Sequence, residues 1–133
     1  ETLEIMAIRL GPDFAGARQV AAYGETIRIG GAEVAFHPAG HVLGSAQVRV
    51  EDRGQVWVAS GDYFSTGSGE RNPTCSAFEP LRCHCFITES TFGLPIYRWR
   101  PQAEVLADIN DWWQRNATAG RTSLAISWHC ADR

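Results

Sequence analysis

The chain has 133 residues, an apolar content of 44% and a formal charge of −3. That length is one domain or part of one, and that apolar share is enough for a core, which excludes a disordered chain. The acidic balance gives no general attraction to nucleic acid, so such a partner must be read from a local site, and no apolar run approaches the ~20 residues of a membrane span.

Leu3, Met6, Ala7 and Leu10 follow the spacing of one stripe of an amphipathic helix, with Thr2 as N-cap and Gly11-Pro12 as the stop. The chain opens on Glu1, already inside this helical pattern, and its one methionine is Met6, so it reads as cut from something longer. Gly16 to Gly24 is a connector. Thr26 to Ile29 alternates, Gly30-Gly31 turns, and Ala32 to Phe36 alternates again with Val34 and Phe36 on one face. Ala46 to Val50 and Gln55 to Ser60 form a hairpin around the turn Glu51-Asp52-Arg53-Gly54. Residues 64 to 74 are rich in Gly, Ser, Asn and Pro and predict a surface loop. Cys85 to Thr88 is a short strand, and Pro95 to Pro101 a linker. Pro101 suits the first turn of a helix whose stripe is Val105, Leu106, Ile109, Trp112 and Trp113, ending near Asn116 and Gly120. An aromatic stripe of that kind is expected to pack on a sheet as core. Thr122 to Trp128 predicts a further strand. The order of elements points to an α/β layered architecture.

No charged n-region followed by an apolar stretch marks a signal peptide, so a cytoplasmic location is expected. The four cysteines, Cys75, Cys83, Cys85 and Cys130, then read as reduced thiols. A zinc site from Cys75, Cys83, His84 and Cys85 is disfavoured, because Cys83 and Cys85 flank a single residue and no Cys-x-x-Cys knuckle exists.

Three polar residues stand out. His41 lies between Gly40 and Val42-Leu43-Gly44, where glycines let the backbone turn sharply and approach a ligand. Imidazole is the commonest metal ligand, but a loop histidine bonded to backbone is the open alternative. Asp62 ends an apolar strand after Ser60-Gly61, where a carboxylate can bridge two cations or simply open a turn. Glu89 ends the next strand, and burial among Phe86, Ile87 and Phe92 predicts a raised pKa suited to acid–base work, with a turn cap as the alternative. Polar groups at the same end of successive strands are how α/β folds build sites. His37 and His84 read as structural, and His129 has no context to judge.

Together these stretches resemble the β-CASP nucleases of the metallo-β-lactamase fold. His37-Pro38-Ala39-Gly40-His41-Val42-Leu43-Gly44-Ser45-Ala46 is similar to the third metal-binding motif, Ser60-Gly61-Asp62-Tyr63 to the fourth, and Thr88-Glu89-Ser90-Thr91-Phe92-Gly93 to the first β-CASP motif. A narrower resemblance, through Pro73-Thr74-Cys75, Phe78-Glu79-Pro80, Cys83 and Phe86 to Pro95, is to bacterial ligase-associated DNA exonucleases, also described as mRNA 3′-end processing factors.

The resemblance implies a partial metallo-β-lactamase αββα sandwich over residues 1–93 and the truncated start of a β-CASP domain over residues 94–133. It implies two zinc ions in the intact parent, with His41 and Asp62 as metal ligands and Asp62 and Glu89 as catalytic residues, Glu89 orienting a later histidine. It implies nucleic acid, and a DNA ligase, as partners. The family's His-x-His-x-Asp-His motif would precede residue 1, so the fragment alone is expected to bind metal weakly and to lack nuclease activity. An RNA-processing nuclease and a non-catalytic scaffold of the same fold are the alternatives.

Overall fold

A computed structural model describes residues 2–65, 72–98 and 100–126. They form a mixed α/β arrangement of one five-stranded sheet and two helices. The chain divides into two compact units, Glu1–Leu94 and Pro95–Arg133.

The first unit opens with helix α1 (Thr2–Leu10), which Gly11 ends at φ 93°. Leu3, Met6 and Ala7 of the predicted stripe are half-buried, but Leu10 is 64% exposed. The sheet follows with β1 (Thr26–Ile29), β2 (Ala32–Pro38), β3 (Ala46–Asp52), β4 (Gln55–Ala59) and β5 (Cys85–Ile87), side by side in chain order. The first three pairings are antiparallel, and β4 pairs with β5 in parallel.

Two tight hairpins set the register. Gly30 and Gly31 both have positive φ, 58° and 95°, the requirement of a type I′ turn whose twist matches its strands. The second turn is shorter than the sequence suggests. Glu51 and Asp52 remain in β3, paired with Val56 and Gln55, and only Arg53 (φ 48°) and Gly54 (φ 74°) make the turn. An ion pair between Arg49 and Glu51, two residues apart on one face, helps keep the polar end of β3 in the ladder. Strand β2 likewise runs on to His37 and Pro38, which pair with Gln47 and Ala46.

The better-buried face of the sheet is not the one carrying Val34 and Phe36. Ala35, Gln47, Val56, Val58 and Ser60 are buried, whereas Val34, Phe36, Val48 and Val50 are only half-buried. Gln47 explains how a polar residue joins that face. Its Nε2 donates to the carbonyls of Pro38 (3.0 Å) and Glu79 (2.7 Å), tying the 76–80 segment to the end of β2.

In the second unit, helix α2 (Gln102–Thr118) begins after Pro101, which is the N-cap rather than the first helical residue. The Pro101 carbonyl accepts from the amides of Glu104 and Val105. Arg100 bridges Glu104 and Asp108, and Asp108 foremost holds its guanidinium above the usual range. Within this unit the stripe Val105, Leu106, Ile109, Trp112 and Trp113 is 38–60% exposed. Residues 122–126 are not a strand. The chain after Gly120 folds back on α2 instead, with Arg121 and Ser123 bonded to Asn116. An apolar run becomes a strand only where an edge is available to pair with it. The predicted strand's residues 127 and 128, His129, Cys130 and residues 66–71 of the predicted loop lie outside the described residues.

Candidate functional site

Strand direction decides where the three sequence-predicted residues go. β2 and β4 both run antiparallel to β3, and β5 runs parallel to β4. The C-terminal ends of β2, β4 and β5 therefore share one end of the sheet. His41 follows β2, Asp62 follows β4 and Glu89 follows β5, so all three emerge at that end.

The loops there are joined. The Phe64 amide donates to the Ala39 carbonyl (3.0 Å), which ties the Asp62 loop to the His41 loop. Gly40, at φ 75°, makes this approach possible. A Cβ on it would stand 2.6 Å from the Phe64 carbonyl oxygen and 2.8 Å from the Phe78 nitrogen. The glycine beside His41 thus admits neighbouring backbone, where the sequence suggested a ligand. The Ser60 amide donates to the Ile87 carbonyl (2.9 Å), and the Thr88 hydroxyl lies 3.4 Å from the Tyr63 hydroxyl. Tyr63 also packs against Phe78 and Phe86, with ring centroids 5.4 and 6.4 Å away.

His41 is held through its backbone. The Ser45 Oγ accepts from the amides of His41 (3.1 Å) and Val42 (3.2 Å), while Asn72 Nδ2 donates to the His41 carbonyl (2.8 Å). Tyr23 donates its hydroxyl to the Ser45 carbonyl (2.9 Å), and burial, reinforced by Cys75, pushes that phenol's pKa up. Asp62 is exposed at its loop.

Glu89 departs from its expected chemistry. Phe86, Ile87 and Phe92 are 42–56% exposed and do not enclose it. The Thr91 amide donates to its Oε2 (2.7 Å), and this bond, then the Thr91 hydroxyl, hold its carboxyl below its ordinary value against a smaller opposing effect of desolvation. The expectation of a raised pKa fails because the carboxylate accepts hydrogen bonds where the sequence suggested apolar walls.

His84 and His37 have structural partners. His84 Nδ1 accepts from the Val56 amide (2.9 Å), so that nitrogen is committed to the sheet, and His37 Nδ1 lies 3.1 Å from Glu79 Oε2. Cys75, Cys83 and Cys85 are free thiols. Among the described residues no group of three or more His, Cys, Asp or Glu side chains could hold a metal. His41 and Asp62 are donor types that zinc accepts, but two donors do not make a site that needs at least three protein ligands.

Ser45, Asn72 and Tyr23 did not emerge from the sequence as site residues. Ser45 carried a usable signal, since a serine four residues after a loop histidine can fold its hydroxyl back onto the preceding amides. Asn72 and Tyr23 carried none, because their partners are distant in sequence.

No family profile matches the chain. Two curated proteins are similar to it. One is named "Probable DNA ligase", from Opitutus terrae, 33% identical over 111 residues, which is 81% of this chain. The other is "Endoribonuclease YSH1" from Saccharomyces cerevisiae, 35% identical over 83 residues, or 62% of this chain. The chain spans 10% of the length of each.

Proposed function

We propose that this chain is part of a zinc-dependent phosphodiesterase, a DNA 3′ exonuclease that works with a DNA ligase in repair in the cytoplasm. Residues 1–93 would belong to a metallo-β-lactamase-like half and residues 94–133 to the start of a β-CASP-like half. The observation that supports this most is the common direction of β2, β4 and β5, with His41, Asp62 and Glu89 at one end of the sheet. The relative named as a DNA ligase favours a ligase-linked DNA substrate.

In this reading His41 and Asp62 would contribute donors to a metal centre completed by residues outside the described ones, and the centre's chemistry would be to activate water and stabilise phosphate charge. The chain's own residues have narrower tasks. The 39–45 loop presents the imidazole, the 60–64 loop presents the Asp62 carboxylate, and Glu89 stays ionised as a hydrogen-bond acceptor able to orient a cationic or N–H partner. Residues 1–133 by themselves are proposed to bind metal weakly and to cleave nothing.

A second reading, an RNA 3′-end processing nuclease of the same fold, is favoured by the relative named as an endoribonuclease. End-labelled DNA and RNA, incubated with the whole protein, with chelator and with zinc restored, separate the two. Shortening of DNA from its 3′ end, lost on chelation and recovered with zinc, is expected. Cleavage of RNA alone would favour the second reading. A folded protein that cleaves neither would overturn both and leave a binding or scaffold role.

A further inference from the structure

We propose that Ser45 and Asn72 form a two-point clamp on the His41 peptide and are positioning residues for the His41 imidazole. This inference rests on the reading of His41 as a functional residue. The clamp closes on both sides of one residue. The His41 N–H is taken by Ser45 Oγ (3.1 Å) and the His41 carbonyl by Asn72 Nδ2 (2.8 Å).

Each arm is itself anchored. Ser45 sits at the mouth of β3, where its carbonyl accepts from the Ala39 amide (3.2 Å) and from Tyr23 (2.9 Å), and its N–H returns to the Val42 carbonyl (3.0 Å). The loop is therefore closed from 39 to 45, continuing the β2–β3 ladder beyond Pro38↔Ala46. Asn72 is fixed by its other amide atom. Its Oδ1 accepts from the Thr74 amide (2.9 Å) and the Thr74 hydroxyl (2.6 Å), so the Nδ2 is pointed at His41 by a turn of its own.

The arrangement solves a local problem. Residues 39–45 contain two glycines in the left-handed region, Gly40 at φ 75° and Gly44 at φ 80°, and such a loop has many conformations open to it. Side chains that bond both backbone groups of His41 select one of them. Held this way, the imidazole starts from a fixed Cα position, and a displacement of about 1 Å in a reacting or binding group can cost about 10²-fold in rate.

The clamp and the functional reading are separated by one set of variants of the whole protein: Ser45→Ala, Ser45→Thr, Asn72→Asp and His41→Ala. Asn72→Asp removes the donor to His41 and keeps the acceptor that Thr74 uses. Amide hydrogen exchange at His41 and Val42, kcat/KM for nucleic-acid cleavage and thermal unfolding are read for each. Ser45→Ala is expected to speed exchange at both amides by about five- to thirtyfold. Ser45→Ala and Asn72→Asp should each lower kcat/KM by about 10²-fold, with unfolding little changed. Ser45→Thr, which keeps the hydroxyl, should restore both readouts. Normal exchange in Ser45→Ala, or normal kcat/KM in both clamp variants while His41→Ala is inactive, would overturn the proposal. If His41→Ala keeps full activity, the reading of His41 fails instead, and exchange alone then decides whether the clamp exists.

Discussion

Gly40 is where the loops at this end of the sheet close backbone against backbone. Its φ of 75° belongs to the left-handed region, and any Cβ would meet backbone atoms of Phe64 and Phe78 inside 3 Å. A side chain in that conformation alone costs about 1–2 kcal/mol, and neither backbone neighbour can rotate away. Gly40→Ala should therefore destabilise the first unit by about 2 kcal/mol or more, visible as a lower denaturation midpoint, and a midpoint equal to wild type would contradict the geometry. Glu89 makes stability depend on pH. Its folded pKa lies below the ordinary 4.5, chiefly through the Thr91 amide. The stabilisation it adds is thus present above that ordinary value and is lost as pH falls through the folded one. Glu89→Gln should flatten this part of the acid limb in denaturation midpoints measured against pH, while an unchanged limb would show that Thr91 does not favour the ionised form.

At the scale of elements, β4 carries the clearest alternation, with Val56 and Val58 buried around a half-exposed Trp57. Val58 is fully covered, so Val58→Ala should cost about 2 kcal/mol by chemical denaturation; a cost near zero would mean that the buried face is not closed. This alternation is also why β1 to β5 were legible in the sequence, since period-two patterning and glycine turns are local signals. The ends were not. Glu51 and Asp52 look like turn residues, yet cross-strand pairing and the Arg49 contact hold them in β3. Leu124 and Ile126 look like strand residues, yet both are strongly exposed where the chain folds back on α2. The same limit applies to α2, whose spacing fixes a stripe but not what covers it. At the site, the placement of His41, Asp62 and Glu89 after successive strands was readable, because strand ends are local. The environment of Glu89 and the clamp on His41 were not, because Thr91's amide geometry and the reach of Asn72 depend on how the loops fold.

Across the whole molecule, the described core is small. Ala35, Ala39, Val56 and Val58 are its buried apolar residues, while Phe86, Ile87, Leu94, Ile96 and the α2 stripe keep a third or more of their surface exposed. Exposed apolar surface on that scale is what interfaces cover. The proposed function turns on β2, β4 and β5 bringing His41 and Asp62 to a shared metal-dependent site for phosphodiester cleavage. Bound zinc and DNA cleavage measured together on the whole protein, wild type against Asp62→Asn, test it most directly. The amide variant, equal in size but without the carboxylate charge, is expected to lose bound zinc and to cleave at least about 10²-fold more slowly. Wild-type zinc content together with a wild-type rate in that variant would contradict it.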